Sequence, residues 1–469
     1  MNIEPVTKEA YQLIHDGVLA FTRAELAGMR VDLDYCHRKI RQLSRKEEKL
    51  QAELMKSKFI RRWRHTYGRG FNLNSDPQLA KMLYEVEGIE PPKLTDSGKG
   101  AVDEETLTLI GMPELQTLVQ IRKIQKLRGT YLEGFLREQV DGFIHPFLNL
   151  HTVRTYRSSS DSPNLQNVPK RDGFSLKTVR KALYARKGHQ LLEVDFSGLE
   201  VSIAATYHKD PTMMKYLTTP GTDMHGDMAM QIFVLDSFDK SVKELKHLRG
   251  AAKNGFVFPE FYGDYYANCA VNLACKWCQL PREGKWKPDM GVPLPGGEPL
   301  ATHLIRQGIK SFRDFEEHIR EIEDDFWNHR FAAYGKWRKD WVRQYQRKGY
   351  FTMHTGFRCS GVMTKNEVIN YPVQGAAFHC LLWSFIQIDR IMREEGWDSR
   401  LVNQIHDALI LDVHPDELEH VARTVRRVTC VDLPKAWKWI IVPLDVEADL
   451  CGVDESWADK EGYKLPEVA

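Results

Sequence analysis

Apolar positions in this chain follow two patterns. Through the first third they recur at helical spacing. Ile14, Val18 and Phe21 fall at i, i+4 and i+7, with Leu13 beside them, so residues 8–55 read as mostly helical. A second helix, from about 34 to 57, is rich in Lys, Arg, Glu and Gln. Ser75-Asp76-Pro77-Gln78 is a helix start, a capping residue followed by proline in the first turn. Leu79, Met82, Leu83 and Val86 supply its apolar face, and Gly88 and Pro91-Pro92 end it. Two more helices are predicted over 103–138. After a loop rich in Ser, Asn and Pro at 155–173, strand-like runs appear near 181–195 and again near 401–413. Between them, 211 to about 348 is mostly helical, broken by a Pro/Gly-rich loop at 281–299. The plan is a helical arm, half a sheet, a helical insertion and the other half of the sheet. The two halves are distant in sequence but must meet in space.

At 469 residues the chain should hold roughly two to four subdomains. Its 42% apolar and 28% charged residues are ordinary for a soluble protein. The net charge of +2 does not argue against a nucleic-acid partner, because clustering matters more than the sum. Residues 56–69 carry Lys56, Lys58, Arg61, Arg62, Arg64 and Arg69 without one acid, and 122–128 add Arg122, Lys123, Lys126 and Arg128. A basic run alone reads as a solvated helix face. Trp63 and Tyr67 among the arginines shift the reading toward a surface that grips a nucleic-acid backbone. The N-terminal residues contain no apolar signal-peptide core, and no run approaches a membrane span. Eight irregularly spaced cysteines fit reduced thiols in a cytoplasmic compartment. Cys275-x-x-Cys278, with Cys269 nearby, lacks a second pair at zinc-site spacing and reads as part of a packed insert.

The candidate chemistry lies at the ends of the strand-like runs. Leu191-Leu192-Glu193-Val194 ends in Asp195, and 212 positions later an apolar run ends in His406-Asp407 before Leu409-Ile410-Leu411. Apolar residues on both sides of His406-Asp407 predict a tight β-hairpin. An acid at such a tip is costly unless it is paired or binds metal. Two carboxylates delivered by strand ends suit magnesium, whose remaining ligands are water and phosphate oxygens. Between them, Arg249 and Lys253 are four apart and share a helix face, where they can clamp a triphosphate. Glu200 would sit in the first turn of the helix after Asp195.

In order along the chain, these segments resemble family A DNA polymerases. The segment from Arg157-x-Ser159-Ser160 to Asn164-Leu165-Gln166-Asn167-Val168-Pro169 is similar to the family's stretch before motif A, and 195–200 (DFSGLE) to motif A itself. Asp223-Met224-His225 resembles the Asp-x-His before the fingers helix, 249–263 motif B, and His406-Asp407 motif C. Asn370-x-Pro372-Val373-Gln374-Gly375 resembles the template-primer contact segment. Phe71 to Ser75 and Thr130-Tyr131 resemble thumb segments, and Glu25-x-x-Gly28-x-x-Val31-Asp32 the first helix after the exonuclease domain.

The resemblance implies an α+β right hand with an antiparallel-sheet palm and helical thumb and fingers. The expected layout is an N-terminal helical segment at 1–45, thumb at 46–145 and palm at 146–210. Fingers at 211–358, with an insertion at about 265–310, precede the rest of the palm at 359–469. It implies that Asp195 and Asp407 hold two Mg2+ ions, which Mn2+ can replace. Arg249 and Lys253 would contact the triphosphate, with Lys253 as proton donor to pyrophosphate. His225 would touch phosphates, Phe258 and Tyr262 would line the dNTP site, and Glu200 would block a ribose 2′-OH. Arg157, Asn164, Gln166, Asn370, Gln374 and His406 would contact DNA. The expected partners are primer-template DNA and dNTPs, with the enzyme a monomer on DNA and any exonuclease or processivity factor on another chain.

Four departures stand out. Lys253 to Tyr262 is nine residues, one more than usual, with Pro259 between. Counting back from Tyr262 puts Phe258 at the aromatic stacking position, whereas counting on from Lys253 puts Val257 there; Phe258 is preferred. Ala408 stands where motif C usually has Glu, and Gly198 where motif A usually has Gln. The 265–310 stretch, with its cysteines, has no assigned role. No N-terminal Asp-x-Glu strand is available for a 3′–5′ exonuclease, so either the polymerase is naturally short or its proofreading is on another chain; the compact form and the departures lean toward a phage enzyme, in the host cytoplasm. One rival is a single-subunit RNA polymerase, which Glu200 opposes. The other is an inactive primer-template binder, which the retained Asp195, Asp407, Arg249 and Lys253 oppose.

Overall fold

The computed structural model describes residues 2–95, 97–168 and 172–468; Pro169 of the segment before motif A lies outside them. The two halves of the sheet meet. Gln190–Phe196 is the middle of a five-stranded antiparallel sheet, flanked on one side by Ala408–Val413 and Arg400–Ile405 and on the other by Val446–Leu450 and Glu461–Tyr463. Side chains alternate between its faces. Leu192, Val194, Leu409 and Leu411 enter a core with the helices Lys8–Ala27 and Lys365–Glu394. Leu191, Ala408 and Ile410 enter a second core with Leu165, Val168, Tyr131 and Phe135. Burial on both faces explains why 191–194 reads as an almost continuous apolar run. The mixed α+β class is as predicted.

Two further cores lie outside the sheet. One gathers helices between Ala205 and Tyr334, and the other the helices between Leu54 and Ile121. The loop at 281–299 packs into the first of these, burying Trp286, Val292 and Leu294. Cys269 and Cys278 are fully buried in the same core, and all eight cysteines are free thiols.

Two details were not anticipated. Residues Asn2–Pro5 form a strand paired with Phe357–Ser360. Gly28, which ends the first helix at φ +64°, is required by close approach, since a Cβ there would lie 2.7 Å from the Ile144 carbonyl oxygen.

Trp63 corrects the reading of the basic run as arginines interleaved with stacking aromatics. It is fully buried, donates Nε1–H to Gln78 Oε1 at 3.1 Å and packs against Phe59 and Phe71. The helix Lys58–Tyr67 is amphipathic: Phe59, Ile60 and Trp63 face the core, while Arg61, Arg62 and Arg64 are exposed. Trp63→Ala should therefore destabilise the fold by about 3–5 kcal/mol, read as a lower unfolding midpoint. A surface stacker would leave that midpoint unchanged.

Candidate active site

Strand pairing sets the position of the acids. Asp195 lies opposite Ala408 on one side and Glu447 on the other. Residues directly opposite in antiparallel strands share a face, so Asp195 and Glu447 share theirs. Asp407 is the second residue of a two-residue turn closed by the Ile405–Ala408 pair, and its carbonyl accepts the Phe196 N–H at 3.2 Å. His406 takes φ +54° at the first turn position, a conformation costing an L-residue roughly 1–2 kcal/mol. Gln404 Nε2 donates to the His406 carbonyl. Asp195 and Asp407 are both half-buried.

Glu447 was missed by the sequence reading. The signal was there: Leu444, Val446, Ala448 and Leu450 alternate with Asp445, Glu447 and Asp449, the period of a half-buried strand. Its charge acts on Lys253 across the cleft.

The segment that faces the sheet is a helix with an inserted turn. Lys243–Ala252 is α-helical, Lys253–Val257 forms a π-turn, and α-helix resumes over Phe258–Tyr262 to Gly263. A π-turn accommodates one extra residue within a helix, which matches the one-residue excess between Lys253 and Tyr262. Pro259 falls in the first turn of the resumed helix. Phe258 lines the cleft, whereas Val257 is fully buried.

Arg249 Nε donates to Asp223 Oδ2 at 2.7 Å. Lys253 Nζ lies 5.1 Å from the centre of the Phe258 ring, which also meets the edge of His225 at 5.6 Å. Burial, and next the charge of Arg249, hold the Lys253 ammonium below the usual lysine range. Burial, then Lys253 and Arg249, push His225 down to about 4, so its imidazole is neutral at pH 7.

A cavity of about 310 Å³ brings together Arg157, Glu200, Phe258, Tyr262, Asn370, Gln374, His406 and Asp407. Glu200 anchors it, one carboxylate oxygen accepting from the Arg157 guanidinium and the other from the Tyr262 hydroxyl. Asn370 Nδ2 donates to the Tyr262 carbonyl at 2.9 Å. A second cavity of about 680 Å³ shares His406 and is lined by Arg122, Lys123, Lys126 and Gln166. Gln166 Nε2 donates to Ser158 Oγ at 2.8 Å and Gln404 Oε1 at 3.0 Å. Asn164 lines neither cavity; its side chain accepts the Asn167 N–H at 3.1 Å and caps a turn. A cavity of about 730 Å³ near Trp437 and Trp439 holds none of the predicted site residues.

Strand-end acids and the helix that bears Arg249 and Lys253 thus lie at one site. The chain belongs to DNA polymerase family A, whose model matches residues 40–459. It is 26% identical over 464 residues to DNA polymerase I of Chloroflexus aurantiacus, covering 96% of this chain and 43% of that protein. It is 24% identical over 383 residues to the DNA polymerase of Bacillus phage SP01, covering 77% of this chain and 37% of that one. The chain thus spans less than half the length of these relatives. Its fold matches the POL domain of Pol1 from M. smegmatis, solved in complex with DNA primer-template and dNTP, at a TM-score of 0.72. That match has 23% identity and covers 94% of this chain and 70% of that one.

The helix carrying Phe258 and Tyr262 is tethered through Glu260. This fully buried carboxyl accepts from Trp327 Nε1 at 2.8 Å and from the Cys269 thiol at 3.5 Å. Burial raises it to about 8, with Glu323 adding to the effect. The folded state therefore holds a proton that the unfolded chain releases near the ordinary glutamate value. Stability from this group is complete below about 4.5, declines as pH rises toward about 8, and is flat above. Unfolding midpoints measured across that window should fall with pH in the native chain, and Glu260→Gln should flatten the decline.

Proposed function

We propose that the chain is a template-directed DNA polymerase that adds dNTPs to a primer 3′-OH, in replication or repair. The observation that carries this reading is that strand pairing brings Asp195 opposite Ala408, next in the chain to Asp407, and opposite Glu447, whose charge acts on Lys253. The neighbour solved with DNA primer-template and dNTP supplies the partners. The sheet and its two cores form the palm (146–210 and 359–469). The core between 205 and 334 is that of the fingers (211–358), and the core between 54 and 121 that of the thumb (46–145). The basic cavity leading to His406 is the path of the duplex.

The donor set fits a hard divalent cation, because Asp195, Asp407 and Glu447 offer only oxygens. Two magnesium ions, when bound by Asp195 and Asp407, would activate the primer hydroxyl and stabilise the leaving pyrophosphate. Glu447 supplies the further carboxylate that Ala408 lacks. Arg249, oriented by Asp223, and Lys253 meet the charge of the triphosphate. Lys253, with its proton held less tightly than usual, is suited to give that proton to pyrophosphate. His225 reaches the phosphates as a neutral hydrogen-bond donor. Phe258 stacks on the incoming nucleotide. Arg157, Gln166, Asn370, Gln374 and His406 meet the primer terminus and minor groove; Asn164 supports that loop through its turn. Glu200, held by Arg157 and Tyr262, stands where a ribose 2′-OH would enter. This favours DNA over RNA synthesis.

Primer extension on a DNA template tests the reading. Magnesium-dependent extension with dNTPs is expected, and Asp407→Asn should reduce it by at least about 10²-fold. Glu447→Gln should cause a smaller loss. Glu200→Ala should raise rNTP use relative to dNTP use. Extension by native enzyme with rNTPs as readily as with dNTPs would refute the role given to Glu200, and full activity in Asp407→Asn would refute the assigned site.

A further inference from the structure

Among the described residues, one group of three His, Cys, Asp or Glu side chains brings its ligand atoms within 4.8 Å of one another: His189, Asp398 and His414. It does not belong to the site above. His189 immediately precedes the strand that carries Asp195, and His414 immediately follows the strand that starts just after Asp407. The cluster therefore lies at the opposite end of the same strand pair, roughly 20 Å from the carboxylates at extended-strand rise.

The His189 ring is buried between two carboxylates: Nδ1 is 2.7 Å from Asp412 Oδ1, and Nε2 is 3.2 Å from Asp398 Oδ2. A neutral imidazole has one N–H and satisfies one of them. The buried Asp412 takes the Nδ1 proton, which leaves the Nε2 lone pair aimed at the oxygen of Asp398. That nitrogen and the Asp398 oxygen, 3.2 Å apart, are spaced so that one ion can be bound by both. A carboxylate on the distal nitrogen of a histidine is also the usual outer support of a metal-bound imidazole.

The rest of the cluster is arranged to match. The rings of His189 and His414 meet edge to face at 5.2 Å. His414 is held by its backbone N–H, which donates to Ser399 Oγ at 2.9 Å. Its Nδ1 accepts only a long bond from the Asp416 N–H, at 3.3 Å. Arg186 bonds both Asp398, at 2.8 Å, and Asp412, at 3.1 Å. Arg186 thus faces both carboxylates, and Arg400 also acts on Asp398.

We propose that His189, His414 and Asp398 form a divalent transition-metal site of the zinc class, with Asp412 as the positioning partner of His189. Two imidazoles and one carboxylate suit zinc, not magnesium. The ion ties together the ends of three strands, at 190, 400 and 413. Its role is to hold the far end of the sheet whose near end carries Asp195 and Asp407.

The test uses the whole chain, stripped with a chelator and kept in millimolar magnesium so that the oxygen-rich site is saturated. Zinc chloride is titrated against a chromophoric chelator, and cobalt(II) is used for its absorption spectrum. Binding of a single equivalent is expected, with cobalt bands free of thiolate charge transfer. His414→Ala should weaken binding by about 10- to 100-fold or more, with primer extension in magnesium unchanged. Asp398→Asn, on an exposed side chain, makes the same test should His414→Ala fold poorly. Cys275→Ser should have no effect. No retained zinc, binding that survives both variants, or binding lost in Cys275→Ser would each overturn the proposal.

Discussion

Everything at the proposed catalytic centre depends on one register, that of Gln190–Phe196 against Ala408–Val413. The pairing runs without a shift from Val413 opposite Gln190 to Ala408 opposite Asp195. Side chains alternate, so a slip of one residue would exchange the faces of the whole strand. Asp195 would then enter the core that holds Leu192 and Val194. An ionised carboxylate in that core costs several kcal/mol or more. The apolar packing on both faces of the sheet is thus what forces the two acids to the same end. Hydrophobic burial, which is non-directional, becomes positional through the period of a strand.

Charge is distributed around that register in a consistent way. The sheet side offers carboxylates, and the helix side offers Arg249 and Lys253. Charges that would otherwise compete are neutralised nearby: Glu200 by Arg157, and the buried Glu193 by Arg180 at 3.3 Å and Lys460 at 2.9 Å. Arg249 is oriented by Asp223 without being buried. Under the proposed function, a triphosphate would meet a guanidinium already aimed and an ammonium already partly desolvated. Little rearrangement is then required of the protein.

Much of this was legible in the residues themselves. The Asp195 strand end and the His406-Asp407 hairpin could be read because apolar runs flank each acid. The shared helix face of Arg249 and Lys253 followed from their spacing. Other features depend on contacts that periodicity does not report. Trp63 reads as a surface aromatic beside arginines, yet its own helix is amphipathic and turns it inward against Phe71. Asn164 sits within a run of matching residues, but local backbone geometry engages its side chain. The strand Asn2–Pro5 is defined by a partner more than 350 positions away, and no local pattern names it. Glu447 was readable from strict alternation, but its importance comes from lying across from Asp195, which only the sheet order shows.

The departures from the family pattern are resolved by the same geometry. An added residue inside a helix would rotate all that follows by about 100°, carrying Phe258 and Tyr262 off the cleft. The π-turn at Lys253–Val257 confines that rotation to a single turn, and Pro259 falls where a missing N–H matters least. Phe258 therefore still meets Lys253, and Tyr262 still reaches Glu200. The loss of a carboxylate at Ala408 is of the same kind. Ala408 is buried opposite Asp195, whereas Glu447, opposite Asp195 on the other side, is exposed toward the cleft. In the proposed site, the strand pairing that places Glu447 beside Asp195 lets it take the part of the acid that Ala408 lacks.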